Sequence, residues 1–403
     1  MPECSGLWTP AFAGEQASDD RRRAVTPVDL ILALIILLCA VLLLWPFLFY
    51  PLVLRMLPEK PVKRASESGA PTVSLLFCAY NEVASLPAKI ENLRGLKARH
   101  PTLQILAFDD GSNDGTGDLL AEAGDLITLV RGPGRSGKAH GMKQLAARAT
   151  GDILVFTDAN VLLDDSAIDA LLPYYADPQV GGVLGSLRYD GAQNSASASV
   201  GALYWRIEEH LKDLESRSGN VMGADGSIFS IRRALYPDFP DSVLDDLTVS
   251  MAVVFAGKRL IKAKDVIARE AMVAKREDEY RRKVRIAARS WHTHRHLRTG
   301  LRRMSGLDRF KYASRKIVRW FGGLWIGLAA LAALALAWRI TPVAAVALFT
   351  AGMLLMMLGV MARRGPLAAI FDLLLAYVAT LKGVLLAMRG RTFTLWTPAK
   401  SRD

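Results

Sequence analysis

The sequence predicts an α/β domain with a mainly parallel sheet, inserted between transmembrane helices. Three observations carry this reading. Short apolar strands alternate with helical patterns between residues 72 and 214. Strongly polar residues recur just beyond the strands. Long, nearly uncharged apolar runs stand on both sides of the region. Alternation of this kind is the signature of a parallel sheet covered by crossover helices.

The elements follow in order. Residues 1–27 are an N-terminal tail. The run 28–54 is apolar apart from Asp29, and about 20 such residues cross the hydrocarbon core of a bilayer. It is too long for the apolar stretch of a secretory signal, and no small-residue cleavage site follows. Residues 55–304 form the polar domain. Strands are predicted at 72–79, 103–108, 126–130, 152–156 and 182–187. Helices are predicted at 83–96, 117–123, 138–149, 166–175 and 198–214. Residues 305–317 read as an interfacial amphipathic segment. Three further apolar runs, 318–338, 342–361 and 367–388, fill 318–389, and 390–403 is a C-terminal tail. The last run carries Asp372 and Lys382, which a plain lipid-facing helix avoids.

The chain holds 51 Lys and Arg against 39 Asp and Glu, a net charge of +12. Much of the excess flanks apolar runs, so membrane lipids are the expected partner. The basic run Arg281-Arg282-Lys283-Val284-Arg285 lacks the interleaved aromatic residues of a nucleic-acid groove. It reads instead as a basic amphipathic helix on lipid headgroups, with no nucleic-acid partner. Arg55, Lys60, Lys63 and Arg64 precede the domain; Arg302, Arg303, Lys311, Arg315 and Lys316 follow it. The positive-inside rule therefore places it in the cytoplasm, at a bacterial inner membrane. Arg363-Arg364 agrees with that alternation. Arg389, Arg391, Lys400 and Arg402 conflict with it, since four crossings would put them outside. Either the last segment does not span, or the charge bias is overridden there. The scattered Cys4, Cys39 and Cys78 exclude a disulfide framework.

Ligands of open α/β sheets bind beyond the carboxyl ends of the strands. Asn81-Glu82, Asp109-Asp110, Arg131 and Asp158 fall there in succession. Phe156-Thr157-Asp158-Ala159-Asn160 ends an apolar strand with two oxygen-bearing side chains, which suits Mg²⁺ or Mn²⁺ shared with a substrate phosphate. A second acidic pair, Asp245-Asp246, lies downstream. Asp109-Asp110-Gly111-Ser112-Asn113-Asp114-Gly115-Thr116 is not an EF-hand loop: the twelfth residue from Asp110 is Ala121, where a glutamate is required. It reads as a strand-to-helix turn, or as a turn in which Asp110 accepts from a base or ribose. Gly132-Pro133-Gly134-Arg135-Ser136-Gly137-Lys138-Ala139 fits the phosphate loop of nucleotide hydrolases until Ala139, which lacks the hydroxyl that binds Mg²⁺. Its glycines, Arg135, Lys138 and a helix start still suit a phosphate. Gly223-Ala224-Asp225-Gly226 is a tight loop with either a structural or a substrate role. Of His292, His294 and His296, only His292 and His296 share a helical face, so surface histidines are expected rather than a metal site.

Taken together, these residues resemble the membrane-bound glycosyltransferases of family 2, the group of cellulose synthase and poly-N-acetylglucosamine synthase. The resemblance runs from Thr72 to Trp320. Cys78-Ala79-Tyr80-Asn81-Glu82 is similar to the family's A-Y-N-E, Asp109-Asp110-Gly111-Ser112 to its D-D-G-S, and Gly137-Lys138-Ala139 to its G-K-A. Asp158-Ala159-Asn160 stands at its D-x-D metal site and Asp245-Asp246 at its E-D pair. Ser314-Arg315-Lys316-Ile317-Val318-Arg319-Trp320 is similar to the segment leading into its C-terminal spans.

The resemblance implies a GT-A-like fold and an inverting, hexosyl-type transfer from a nucleotide sugar, most often a UDP-sugar, to a lipid-linked or glycan acceptor. It implies donor contacts at Tyr80, Glu82, Asp110, Lys138, Arg135 and Asp158. It implies Mg²⁺ or Mn²⁺ at Asp158 and Asn160, and catalysis by Asp246 beside Asp245. On the acceptor side it points to Asp225, Arg282 and Arg285. Two departures stand out. Asn160 replaces the second aspartate of D-x-D. The Q-x-x-R-W of processive members is reduced to Arg282-Lys283-Val284-Arg285-Ile286. A processive polysaccharide synthase of the same family is the alternative. A phosphate-loop hydrolase and a non-catalytic membrane scaffold are the alternatives from other classes.

Overall fold

A computed structural model describes residues 25–65, 71–190, 196–271, 276–362 and 365–395. The expectations for Cys4, Arg363-Arg364, Lys400 and Arg402 fall outside these residues. The strands are β1 (Val73–Ala79), β2 (Gln104–Asp109), β3 (Thr128–Arg131), β4 (Ile153–Thr157), β5 (Leu162–Leu163), β6 (Val180–Asp190), β7 (Ile228–Arg232) and β8 (Arg259–Ala271). Among the described residues they form one 8-stranded sheet in the order β3-β2-β1-β4-β7-β6-β8-β5.

The parallel part is where the sequence places it. β1 pairs parallel with β2 and β4, and β2 with β3. β1 and β4 are buried along their whole length, so they read as continuous apolar runs. Beyond β4 the sheet is mixed. β7 runs antiparallel to both β4 and β6, while β6 and β8 run parallel. β5, β7 and β8 have no counterpart among the predicted strands. β5 is two residues long. β8 interleaves apolar residues with Lys262, Lys264 and Arg269, and the Lys262 charge is neutralised inside the protein by Glu209 and Asp213 at 2.6 and 3.1 Å.

The helices used below are α1 (Pro27–Met56), α2 (Leu86–Arg99), α3 (Thr116–Glu122), α4 (Lys138–Arg148), α5 (Ala196–Arg217), α6 (Asp245–Phe255) and α7 (Arg276–His296). Three apolar helices follow: α8 (Gly322–Ile340), α9 (Pro342–Met361) and α10 (Pro366–Met388). Alternate residues of each strand serve opposite faces of the sheet. Leu75, Phe77, Ile105 and Val155 pack with Leu86, Leu93 and Leu96 of α2. Leu76, Cys78, Leu106 and Phe156 pack with Met142 and Leu145 of α4 and Met251 of α6.

α1, α8, α9 and α10 are each long and apolar enough to cross a membrane. α1 and α8 are tied at the ends remote from the sheet, where Arg339 Nε donates to Asp29 Oδ1 at 2.5 Å. Near the sheet, Tyr50 of α1 donates to Glu215 of α5 at 2.6 Å. Arg315 pairs with Glu215 at 2.6 Å and Glu208 at 3.0 Å, and Arg319 also pairs with Glu208. Residues 305–317, expected as an interfacial amphipathic segment, are thus tied to α5 through Arg315. Lys311 is buried and donates to the Glu215 carbonyl at 3.0 Å.

α10 behaves differently from the other apolar helices. Phe371 packs on Gly359, close to the end of α9, and Tyr377 packs on Gly322, the first residue of α8. Asp372 pairs with Arg276 of α7. Lys382 Nζ stands 5.6 Å from the Tyr280 ring centre. Val384 shares a cluster with Ala287 and Trp320. Beyond the helix, the Arg391 carbonyl accepts from His292 Nε2 at 2.8 Å. All of these partners lie at the sheet-side ends of the apolar helices or on α7. His294, expected at the surface, is half-buried and stacks on Tyr312 with ring centres 5.8 Å apart.

Candidate active site

The site forms where β1, β2 and β4 end and α4 and α6 begin. Asn81 adopts a left-handed φ of 52° just after β1. Its amide exchanges hydrogen bonds with Asn113: Asn81 Nδ2 donates at 2.9 Å and Asn113 N donates back at 3.0 Å. The loops after β1 and β2 are thus clamped together. Glu82 N donates to Thr116 Oγ1 at 2.8 Å, and its carboxylate accepts from Ser85 at 2.8 Å.

Asp110 holds the next loop. Its Oδ1 accepts from Ser136 N at 2.7 Å, Ser136 Oγ at 2.9 Å and Gly137 N at 2.9 Å. Arg135 Nε reaches Oδ2 at 3.4 Å, while its guanidinium lies 3.3 Å above the Tyr80 ring. This buried carboxylate therefore shapes the loop before α4. Gly137 sits at φ +95°, and the Thr394 carbonyl lies so close that a β-carbon there would meet it at 2.6 Å.

Lys138, the first residue of α4, points across the sheet end. Its Nζ stands 2.5 Å from Asp158 Oδ1 and 3.9 Å from Asp245 Oδ2. Gly226 closes over this pair, with room for no β-carbon: one would stand 2.8 Å from Lys138 Nζ and 3.1 Å from Asp158 Oδ2. Burial alone would lower the Lys138 pKa, but Asp158, Asp245 and Asp246 outweigh it and hold the ammonium well above the usual lysine range. Asp246, at the start of α6, accepts from Leu247 N at 2.6 Å. Burial, then the adjacent Asp245, pushes its carboxyl above the usual carboxylate range. Lys138 offsets part of that rise.

Among the described residues, no group of three or more His, Cys, Asp or Glu could hold a metal ion. Asn160 Nδ2 donates to Glu270 Oε1 of β8 at 2.9 Å. Asp158 is thus a lone carboxylate, partly open to solvent. Such a donor set fits a hard divalent cation only when other oxygens, such as those of a diphosphate, complete the shell.

Two of the remaining expected residues, Asp225 and Arg282, lie in ion pairs of their own. Asp225 pairs with Lys212 and accepts from Ser227, which hold its carboxyl at about 2 against the effect of burial. Arg282 grips Glu279 on the same helix at 2.8 and 3.0 Å. Arg285 stands one turn further along α7. Ser136 and Gly226 lie in loops that the sequence marks, but their contacts with Asp110 and with Lys138 were not legible beforehand, nor was the Glu270 partner of Asn160. Each acts through a contact distant in sequence, which no local pattern reveals.

Residues 74–239 match the Glycosyl transferase family 2 model. The chain is similar to an N-acetylglucosaminyltransferase of Rhizobium leguminosarum bv. trifolii, 27% identical over 134 residues, covering 32% of this chain and 74% of that one. It is similar to a poly-beta-1,6-N-acetyl-D-glucosamine synthase of Staphylococcus epidermidis, 22% identical over 231 residues. That match covers 50% of this chain and 54% of that one, so the chain spans about half of this relative. Among solved structures, a mannosyltransferase of Pyrobaculum calidifontis, in complex with GDP-Man and Mn²⁺, superposes with a TM-score of 0.71. It is 21% identical, and the match covers 89% of this chain and 99% of that one. Residues 74–239, with Lys138 and Asp158 among them, therefore form a family 2 glycosyltransferase domain, and the fold is GT-A-like.

Proposed function

We propose that the protein transfers a sugar, with inversion, from a nucleotide sugar to a lipid-linked or glycan acceptor at the cytoplasmic membrane face. The observation that carries this reading is the Lys138 ammonium set between Asp158 and the Asp245-Asp246 pair. It supports a leaving-group side and an acceptor side a few ångströms apart.

On the donor side, Lys138 provides a fixed positive charge where negative charge grows on the departing diphosphate. Asp110 holds the loop that presents Lys138 and Arg135. Asp158 would hold Mg²⁺ or Mn²⁺ shared with the donor diphosphate, a Lewis acid that neutralises the leaving group. On the acceptor side, Asp246 accepts the proton of the attacking hydroxyl. General-base catalysis of this kind supplies about 10²–10⁴ in rate. Departure of the nucleoside diphosphate balances the new glycosidic bond.

The membrane arrangement supports a lipid-borne acceptor. The segment carrying Arg315 and Lys316 runs from the Asp246 side of the site directly into α8. In this reading α1, α8 and α9 cross the bilayer, while α10 lies along its cytoplasmic face beside α7.

The donor is a UDP-sugar in this reading, and the test is direct. Thermal stability is measured with UDP, GDP and ADP, each with and without Mn²⁺. Membranes are then fed labelled UDP-glucose, UDP-N-acetylglucosamine or GDP-mannose and the products analysed. Stabilisation by a nucleoside diphosphate with Mn²⁺, and label in a lipid or glycan product, are expected. Turnover of ATP or GTP that needs Lys138 but not Asp246 would replace this reading with a hydrolase.

A further inference from the structure

Lys89 is a buried amino group that the assignments above leave unused. It is the fourth residue of α2 and is completely buried. Among the described residues its one hydrogen-bond partner is the Val161 carbonyl, which accepts from Nζ at 2.5 Å. The Phe77 ring centre lies 5.8 Å from the same nitrogen. Leu86 and Ile90 of α2, with Ala159 and Val161, belong to a single apolar cluster around it.

Such a burial is unfavourable by itself. An amino group taken out of water costs free energy unless new hydrogen bonds replace the old ones. Here one bond is made, although an ammonium offers three donors. Burial, eased by Asp158, brings the group down to about 7. A methionine would fill the same space without that cost. Apolar packing therefore does not account for a lysine at this position; its hydrogen bond does.

That bond ends on the turn that carries Asp158. Val161 N donates to the Asp158 carbonyl at 3.2 Å and closes the turn. At its entry, Thr157 Oγ1 donates to the Ser227 carbonyl at 2.9 Å. At its exit, Asn92 exchanges two hydrogen bonds with Leu163: Nδ2 donates to the carbonyl at 2.7 Å, and Leu163 N donates to Oδ1 at 2.9 Å. Asn92 stands three residues after Lys89, so both face the turn from one side of α2. Between entry and exit, Asn160 is tied to Glu270 through its side chain, and Lys89 ties the backbone at Val161. Asp158 is a lone carboxylate, so no second acidic ligand makes good a displacement of it.

We propose that Lys89 is a positioning residue for Asp158: through the Val161 carbonyl it fixes the turn that sets this carboxylate toward the cation shared with the donor diphosphate. The inference rests on Asp158 being the donor-side ligand. It extends the site through the sheet end to α2, a helix that touches neither substrate.

The test uses the full chain in lipid nanodiscs: wild type, Lys89→Met, Lys89→Gln, Asp158→Ala and the double variant of Lys89→Met with Asp158→Ala. Melting is followed without ligand, then with Mn²⁺ titrated at a fixed level of whichever of UDP, GDP and ADP stabilises the wild type. Nucleotide release is measured with whichever of UDP-glucose, UDP-N-acetylglucosamine and GDP-mannose the wild type consumes. Without ligand, Lys89→Met should melt no lower than the wild type, because relief of the burial offsets the lost bond. Its half-saturating Mn²⁺ should rise, and its kcat fall, by about ten- to a hundredfold, the scale of losing a partner that orients a metal ligand. Lys89→Gln keeps an N–H donor of slightly shorter reach and should recover part of both. The double variant should release nucleotide no more slowly than Asp158→Ala, since both changes act through one carboxylate. An unchanged Mn²⁺ requirement in Lys89→Met and Lys89→Gln, or losses that multiply in the double variant, would make Lys89 a packing residue and overturn the inference. An Asp158→Ala variant with full activity and an unaltered Mn²⁺ requirement overturns the donor-side reading itself, and the inference with it.

Discussion

Lys138 Nζ stands 2.5 Å from Asp158 Oδ1, so the first residue of α4 and the residue just after β4 form one charged unit. Asp158→Ala and Lys138→Met should each lower transfer by about 10²–10³-fold, the scale of a lost transition-state charge contact. The stabilisation by nucleotide should lose its Mn²⁺ dependence in Asp158→Ala only. With a lone carboxylate at the site, Mn²⁺ should bind weakly to the free protein and tightly once a nucleoside diphosphate is added. Calorimetry showing tight Mn²⁺ binding without nucleotide would contradict the one-carboxylate site.

Asp246 and Asp245 separate by pH. A base works when ionised, and burial, then Asp245, raises the Asp246 pKa. Activity should therefore fall as pH drops through that raised value, above the usual carboxylate range. Asp246→Asn removes the base and should cost about 10²–10⁴-fold at pH values above that limb. Asp245→Asn removes a like charge and should move the acid limb to lower pH. Rate–pH profiles of the two variants check both signs, and a limb that rises in Asp245→Asn would reject the account.

The same residues show what a sequence can convey. β1, β2 and β4 were legible because buried parallel strands are continuous apolar runs, and their polar ends fall at one edge of the sheet. Lys138, Asp158 and Asp246, each singled out in the sequence, are brought together at one end of the sheet. β8 was not legible, because Lys262 disguises a buried strand and is neutralised by Glu209 and Asp213 from another element. The loop-holding role of Asp110 was hidden for the same reason: its partners Ser136 and Gly137 lie more than twenty residues away.

Asp110 yields a prediction that distinguishes shaping a loop from touching a ligand. Its carboxylate gathers Ser136 and Gly137 through charge-assisted hydrogen bonds. Asp110→Ala should lower stability by about 3 kcal/mol, the scale of losing more than one such bond. It should also weaken nucleotide binding by loosening the loop before Lys138. Unchanged thermal stability with weakened binding would instead assign Asp110 to direct ligand contact.

The buried pair Glu215–Arg315 joins α5 to the segment leading into α8. Breaking one partner leaves a charge inside the protein, a loss of about 3–5 kcal/mol. Glu215→Gln and Arg315→Met should each show it, and the double variant should recover part of it. Thermal denaturation in one detergent is the measurement. Full additivity of the two losses would mean that the pair does not act as a unit.

The contacts of α10 bear on the conflict in the charge pattern. A helix that crossed the bilayer after α9 would end at the face where Asp29 and Arg339 meet. α10 instead ends with the Arg391 carbonyl on His292 and the Thr394 carbonyl against Gly137, beside the donor loop. Along its length it follows α7, through Asp372 with Arg276, Lys382 over Tyr280, and Val384 with Ala287. Ile370, Leu373, Val378, Leu385 and Met388 remain exposed, an apolar surface suited to the acyl–headgroup boundary. The basic residues Arg389 and Arg391 then share a side with the catalytic domain, as the positive-inside rule asks. A fluorescent protein fused after Asp403 should be bright and an alkaline phosphatase fused there inactive, matching reporters inserted after Arg64. An active phosphatase at the C-terminus would make α10 a crossing helix and place the Arg391–His292 contact outside the native arrangement.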